Sequence, residues 1–320
     1  MKFIDICKMS QSKVKKYAEK ELRENGYEPV NEDGFLYAKG TYPVLLVAHM
    51  DTVHKQRIKT IVRRKGNVLS SPQGIGGDDR CGIYMILSII QKYHCSVLFT
   101  EDEEIGCVGA RKFCDSEYVN NLEVNYMIEL DRRGSKDAVF YSNDNKEFQD
   151  WICDKEIGFE LNTGSYSDIC EIMEASGIAG VNLSCGYYKE HTLEEHVKVD
   201  EMEANINRVF KLIARESKSW EYTPEVNNWR YYDYGHYDCG IYEKIARDED
   251  IFSDENLVLM EFRYLAFRGE GVGYGVGVTE QSCLANFLLE NEYICVADVY
   301  SAKVIMEGEI ECDEEPTNAK

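Results

Sequence analysis

Stretches of consecutive apolar residues alternate with amphipathic patterns along the first two thirds of the chain. Three apolar stretches, at 43–48, 96–100 and 124–130, have the length and composition of strands buried on both faces. The remaining patterns predict helices over 10–25, 81–93, 108–113, 146–156, 167–175 and 201–217, and strands over 35–38, 58–62, 138–141 and 180–184. This alternation predicts an α/β fold whose central strands are buried on both faces of the sheet.

The pattern changes near residue 218. Residues 218–238 concentrate aromatic side chains in a polar stretch, which indicates a linker or a packing arm between domains. Residues 239–320 indicate a smaller α+β region, with candidate elements at 257–267 and 293–304, a glycine-rich hairpin or loop at 271–277 and an acidic end at 309–315. We therefore expect a first domain over 1–217 and a C-terminal domain or appendage of unknown role over 218–320.

Charge and cysteine content narrow the class of protein. The formal net charge is −22, from 36 Lys and Arg against 58 Asp and Glu, which argues against a nucleic-acid partner. No apolar run approaches the roughly 18 residues of a membrane-spanning helix, and the amino terminus lacks a signal-peptide core. The 12 cysteines include no C-x-x-C pair. We expect a cytoplasmic protein with reduced thiols and no membrane partner.

Polar side chains with metal-ligand chemistry occur where the three buried strands end. His49 follows the first strand, Glu103 and Glu104 come just past the second, and Asp131 follows the third. Sheets of this kind bind ligands beyond the carboxyl ends of their strands, so we expect these side chains to converge. Asp78, in a glycine-rich segment ahead of a predicted helix, is the best candidate for a carboxylate that bridges two cations.

The remaining members of this candidate site have alternatives. Asp51 can accept the second ring N–H of an imidazole ligand and so hold its orientation. Asp79, next to the candidate bridging carboxylate, is better suited to cap the following helix. His191 and His196 lie in one loop, and spacing alone does not choose between them. Together these groups supply what a two-metal site needs: a bridging carboxylate, terminal ligands and a separate base.

Five segments resemble the co-catalytic two-zinc exopeptidases, which include bacterial aminopeptidases, peptidase T-like tripeptidases and amidohydrolases such as acetylornithine deacetylase. Segments 47–53, 77–82 and 99–106 are similar to the H-x-D, D-D-[KR]-x-G and E-E-x-G motifs of that group. Segments 128–132 and 188–195 resemble the fourth ligand segment and the H-[ST]-x-x-E segment of the aminopeptidase branch. The resemblance covers roughly residues 35–215 and implies a three-layer α/β/α sandwich, in which a mixed, mostly parallel central sheet of eight strands lies between helices.

The resemblance also implies roles for individual residues. Its metal ligands correspond to His49, Asp78, Glu104, Asp131 and His191. One ion would bind His49, Asp78 and Asp131, and a second ion would bind Asp78, Glu104 and His191. Glu103 would be the general base, and Asp51 would support catalysis beside the first imidazole. The implied cofactors are two divalent cations, with Zn²⁺ expected and Co²⁺ or Mn²⁺ as alternatives.

The lengths of chain between the candidate ligands indicate which class of substrate to expect. The intervals from His49 to Asp78 and from Asp131 to His191 are 29 and 60 residues, too short for the lid domains that many deacetylase and carboxypeptidase relatives insert there. We therefore expect an aminopeptidase acting on a peptide or small amide. The alternatives are an amidohydrolase of N-acylated amino acids or cell-wall fragments, and a metal-binding relative without catalytic activity. The sequence leaves the side-chain preference and oligomeric state open.

Overall fold

The structure is a computed structural model that describes residues 2–224 and three strands between residues 264 and 309. The chain forms two compact units, Met1–Glu225 and Val226–Lys320. All the candidate site residues lie in the first unit. Within the described residues, no helix is both long enough and apolar enough to cross a membrane.

The first unit contains twelve described strands in two sheets. In chain order they are β1 (Val30–Glu32), β2 (Phe35–Ala38), β3 (Tyr42–His49), β4 (Val62–Arg64), β5 (Val68–Ser70), β6 (Cys95–Thr100), β7 (Tyr126–Arg132), β8 (Asp137–Val139), β9 (Glu160–Asn162), β10 (Gly180–Ser184), β11 (Tyr187–Tyr188) and β12 (His196–Lys198). Eight of them form the central sheet in the order β1-β2-β6-β3-β7-β10-β8-β9. The other four form a small sheet in the order β11-β12-β5-β4.

The middle of the central sheet is parallel. Strands β6, β3, β7 and β10 run in one direction, whereas β2 and β8 pair with this group antiparallel. Every residue of β6 is buried, as are the last six of β3, which explains their unbroken apolar sequences. The predicted mixed, mostly parallel sheet is confirmed.

Helices cover both faces of the central sheet. They are α1 (Phe3–Cys7), α2 (Gln11–Glu24), α3 (Gly77–Ile89), α4 (Val108–Cys114), α5 (Glu117–Asn120), α6 (Lys146–Ile152), α7 (Asp168–Ser176) and α8 (Val199–Ile213). Buried side chains of α2, α3, α6 and α8 belong to one apolar cluster, and those of α4, α5 and α7 belong to a second. Two apolar cores on either side of one sheet make the three layers of the predicted sandwich.

The structure differs from the sequence-based elements at several places. The predicted strand at 58–62 is wrong, because only Val62 is extended in a strand, while Ile58 and Ile61 pack against the core from a loop. Strands β1, β5, β9, β11 and β12 were not predicted. Each has two or three residues, too few to show a period of two.

The described part of the second unit is a three-stranded antiparallel sheet of β13 (Tyr264–Arg268), β14 (Tyr293–Asp298) and β15 (Lys303–Glu309). The glycine-rich segment 271–277 and residues 310–315 of the acidic end lie outside the described residues. The aromatic-rich segment 218–238 is described only to residue 224. Its Trp220 packs against Phe148 and Trp151 of α6, with ring centroids 5.6 and 5.8 Å apart.

Candidate metal centre

The candidate ligands meet at one edge of the central sheet. His49 is the last residue of β3, and Asp131 is the second-last residue of the neighbouring parallel strand β7. On the other side of β3, β6 ends at Thr100 and leads into a short 3₁₀ helix, Glu103–Ile105. The carboxyl ends of adjacent parallel strands therefore deliver three of the predicted groups to one place.

The backbone around Asp78 is irregular and closely packed. Gly76 has a φ of 62°, and Asp78 has non-helical angles although it lies at the start of α3. The peptide bond between Asp78 and Asp79 is cis. A Cβ on Gly77 would lie 2.8 Å from side-chain atoms of Tyr187, so only glycine fits there without movement. Asp79 Oδ1 accepts a hydrogen bond from the Gly82 N–H at 2.8 Å, the capping contact that the sequence indicated.

The carboxylate of Asp78 lies between two imidazoles. Its Oδ1 is 2.9 Å from His49 Nε2, and its Oδ2 is 3.3 Å from His191 Nε2. Asp131 Oδ1 lies 3.5 Å from His49 Nε2, and Glu104 Oε2 lies 3.0 Å from His191 Nε2. The structure thus brings together the five residues predicted as ligands, in two groups that share Asp78. His196 lies elsewhere, in β12, with its ring stacked on Tyr188.

Asp51 connects the first imidazole to the glutamate pair. Its Oδ1 is 3.1 Å from His49 Nδ1 and also accepts the backbone N–H of Glu103 at 3.0 Å. Its Oδ2 accepts the backbone N–H of Glu104 at 3.0 Å. One buried carboxylate therefore fixes the orientation of the His49 ring and the position of both glutamates.

Sequence reasoning missed the groups that hold Asp131. Ser167 Oγ donates to Asp131 Oδ2 at 3.0 Å, and the Tyr187 hydroxyl donates to Asp131 Oδ1 at 3.2 Å. Asn182 Oδ1 accepts the Asp131 backbone N–H at 3.0 Å. None of these three residues is itself a motif position, although Tyr187 directly precedes segment 188–195, so that neighbourhood was the one signal that could have found it.

Glu195 was also missed as an individual residue, although it falls within the last motif-like segment. Its carboxylate is fully buried and accepts the backbone N–H groups of Gly76 at 2.8 Å and Asp78 at 3.0 Å. Its Oε2 lies 2.6 Å from His54 Nε2. His54 thus has a buried carboxylate partner beside the site.

The electrostatic balance of the cluster favours charged imidazoles. Burial lowers the pKa of His49, but Asp131, together with two neighbouring carboxylates, outweighs burial and raises this pKa well above 6.5. Hydrogen bonds to Asp78 and Glu104 raise the pKa of His191 to about 11. Burial raises the pKa of Asp78, yet its bonds to the two imidazoles more than offset burial and hold the pKa well below 3.8.

The pKa values of three other carboxyl groups at the site are raised, whereas that of Asp78 is lowered. Burial, with the nearby Asp78 charge, raises the pKa of Asp131 to about 7. Burial also raises the pKa of Glu103 to about 9, with further contributions from Asp131 and Asp168. Burial raises the pKa of Asp79 well above 3.8. More carboxyl groups converge here than the two imidazoles can neutralise, an arrangement suited to divalent cations.

Fold and donor set together define an α/β protein with a candidate two-cation centre at the sheet edge. Residues 36–156, which include four of the five candidate ligands, match the model of Peptidase family M28. No curated protein matches the sequence. The family match confirms the resemblance to the co-catalytic metallopeptidases.

Two solved structures share the fold of the first unit. The aminopeptidase PepT from Bacillus cereus matches with a TM-score of 0.55 and 15% identity, over 66% of this chain and 96% of that one. A tripeptidase from Staphylococcus aureus matches with a TM-score of 0.54 and 14% identity, over 66% of this chain and 95% of that one. At such identities the similarity concerns the fold alone.

Proposed function

We propose that this protein is an aminopeptidase that hydrolyses peptides or small amides with the help of two divalent cations, which we take to be zinc. The observation that carries the proposal is the position of Asp78, whose two oxygens face two different imidazoles, His49 and His191. A carboxylate with one oxygen toward each of two nitrogen donors is suited to bridge two cations.

The donor set fits such ions. Imidazole nitrogens and carboxylate oxygens are the ligands that zinc takes in hydrolytic sites, and cobalt or manganese accept the same set. His49, Asp78 and Glu104 each offer a donor atom, and these atoms lie within 4.8 Å of one another. Glu104 Oε1 is buried and has no hydrogen-bond partner among the described residues. A buried acceptor left in this way favours a cation beside it.

Each cation would have its own ligands besides the shared carboxylate. His49 and Asp131 would complete the first site with Asp78, and Glu104 and His191 would complete the second. When bound, the two cations would polarise the scissile carbonyl and make the attacking water more acidic. The hydrogen bonds from Asp51 to the His49 ring and to both glutamates would hold this half of the site in place.

Glu103 would act as the general base. Its backbone is fixed by Asp51, its side chain is half-buried, and it lies directly beside the ligand Glu104. In this role its carboxylate accepts the proton of the attacking water and delivers that proton to the leaving nitrogen. The backbone contacts do not involve the carboxylate, and cations bound at the neighbouring ligands would lower the raised pKa of Glu103 so that the group can accept a proton.

The architecture supports an aminopeptidase over the deacylase alternative. Between His49 and Asp78 the chain adds only the short strands β4 and β5. Between Asp131 and His191 it adds strands of the two sheets and helices α6 and α7. No inserted lid domain is present within residues 2–224. The eight cysteines of this part are free thiols, which supports the further proposal of a cytoplasmic location.

Two measurements on the purified full-length chain test this function. Elemental analysis gives the number of metal ions per chain, and parallel assays compare an aminoacyl amide with the matching N-acetyl amino acid. We expect two ions per chain and hydrolysis that requires the free amine and is lost on chelation. Preference for the N-acetyl substrate would assign the protein to the deacylases instead. Hydrolysis that survives complete metal removal would overturn the proposal.

A further inference from the structure

A second group of potential ligands lies beside the candidate metal centre. Cys107 precedes α4, Asp168 is the first residue of α7, and Glu103 lies in the 3₁₀ helix between them and the centre. Each offers one donor atom, and these atoms lie within 4.8 Å of one another. The Cys107 Sγ is 3.9 Å from Glu103 Oε1. Cys107 and Asp168 are 3% and 1% exposed.

The buried carboxylate of Asp168 has one oxygen without a hydrogen-bond donor. Asp168 Oδ2 accepts a hydrogen bond from the Thr100 hydroxyl, and the carboxylate also interacts with the Cys107 thiol, but the buried Oδ1 is left without an N–H or O–H donor among the described residues. The nearby Glu129, 1% exposed, also has one buried oxygen, Oε2, without a partner. A buried carboxylate oxygen without a hydrogen-bond donor is costly, so a cation fits beside these two carboxylates.

We propose that Cys107, Asp168 and Glu103 form a third cation site, distinct from the two-cation centre and selective for a borderline or soft divalent ion. A thiolate with two carboxylates is a donor set that zinc, cobalt and cadmium accept, whereas magnesium and calcium prefer oxygen alone. Binding would form a metal–sulfur bond and displace the thiol proton to solvent, with no electron transferred. Glu103 is half-buried whereas the other two ligands are buried, so the ion would enter the site past Glu103.

Occupancy of this site would inhibit the enzyme, a consequence that rests on the proposed function. An ion bound to the Glu103 carboxylate occupies the lone pairs that would accept the proton of the attacking water. Two ions would support turnover, and a third would suppress it. The structure therefore assigns to Cys107 a sensing role for excess metal.

Cobalt spectroscopy separates this site from the two-cation centre. The five ligands of that centre are nitrogen and oxygen donors, so they produce no sulfur-to-cobalt charge-transfer band. Metal-free full-length protein is titrated with Co²⁺ alone while the near-ultraviolet absorbance is followed. We expect a sulfur band in the wild type, its loss in Cys107→Ser, and at least about a tenfold higher Co²⁺ requirement in Asp168→Asn.

Cys114→Ser is the matched control, because Cys114 ends the same helix α4 but does not belong to the candidate ligand group. It should keep the band. Absence of a sulfur band in the wild type at saturating Co²⁺ overturns the proposal without reference to any variant. An undiminished band in Cys107→Ser also overturns it, because another thiol is then the ligand.

Peptidase activity measured in excess zinc is a second test of the third cation site. Zinc beyond two equivalents should inhibit the wild type and Cys114→Ser, and should inhibit Cys107→Ser much less. Equal inhibition of all three would contradict the link to Glu103. A sulfur band in protein without peptidase activity would refute the proposed function while supporting the third site, so the two failures are distinguishable.

Discussion

The carboxylate of Glu195 accepts a hydrogen bond from the backbone N–H of Asp78 at 3.0 Å, across 117 residues of sequence. The same carboxylate binds the N–H of Gly76 at 2.8 Å and contacts His54 at 2.6 Å. Glu195 follows His191 by four residues, so it ties the loop of one candidate ligand to the loop of the bridging carboxylate.

We predict that Glu195→Gln weakens metal binding. The amide keeps the size of the side chain but removes the charge and can offer only one acceptor oxygen, so the Gly76–Asp78 loop loses a contact. The expected loss of metal affinity is about 10- to 100-fold, as for other groups that orient ligands. Competition with a chelator measures it. The neighbouring Glu194→Gln is the control, because Glu194 is exposed and pairs with Lys189. Equal affinity in both variants would contradict this role.

Glu103→Gln should keep both cations and lose most turnover. The amide cannot accept the proton from water, and general-base catalysis typically contributes about 10²- to 10⁴-fold. Steady-state kinetics with metal analysis on the same sample measure both effects. Asp102→Asn, in the residue before, should retain activity because Asp102 bonds Gln11 rather than a site residue. Near-normal activity of Glu103→Gln would remove Glu103 from the role of base.

Asp78→Ala should abolish binding of both cations and remove their effect on stability. Ligands that bind only the folded state stabilise it, by about 2.7 kcal/mol per site at a concentration 100 times Kd. The wild type should therefore unfold at a higher temperature with zinc than with chelator. For Asp78→Ala the difference should shrink by the contribution of the two bridged ions, so that only zinc bound at the Cys107 site still stabilises the fold. Two bound ions in this variant would eliminate Asp78 as the bridge.

Tyr187→Phe should weaken the cation held by Asp131 more than the other cation. The hydroxyl donates to the backbone carbonyl of Asp131 at 3.0 Å and to its Oδ1 at 3.2 Å, and phenylalanine removes both bonds while keeping the ring. Loss of such bonds costs about 0.5–1.5 kcal/mol each. Stepwise metal titration reports the two affinities. Tyr188→Phe, whose hydroxyl contacts Glu201, serves as control. Unchanged stepwise affinities would show that Asp131 is held without Tyr187.

Gly82→Ala should destabilise the fold. A Cβ at this position would lie 1.8 Å from the Leu130 carbonyl oxygen and 2.4 Å from Asp79 Oδ2, so α3 would have to move away from β7. Overpacking of this kind typically costs about 1–3 kcal/mol. Denaturant unfolding measures the change. Ser88→Ala, at a partly buried position of the same helix, should change the free energy of unfolding by less than about 0.5 kcal/mol. A Gly82→Ala protein as stable as the wild type would show that this contact can relax.

The sequence predicted the core elements closely because they are long and strongly patterned. Strand β10 has the predicted bounds, 180–184. Strand β3 is one residue longer than predicted at each end, and β6 begins one residue earlier than predicted. The prediction of a strand at 58–62 was wrong because two isoleucines in a loop can pack on a core without being extended. The strands of the small sheet could not be predicted for a different reason: each has only two or three residues, too few to show a pattern.

Site residues divide in a similar way. Groups that follow a strong strand, such as His49 and Asp131, could be found because the end of the strand marks them. Ser167, Tyr187 and Asn182 could not, since each is an ordinary polar residue until the fold brings it to Asp131. Their contribution depends on distances between segments that the chain order does not specify.

By itself, the sequence determined the layered α/β architecture and a short inventory of metal-binding groups, because hydrophobic periodicity and strand ends are local properties. Only the tertiary structure decided that both oxygens of Asp78 face imidazoles, that Ser167 and Tyr187 hold Asp131, and that Cys107 lies beside Glu103 and Asp168. Such relationships arise from the order and register of strands packed between two layers of helices, which no local pattern encodes.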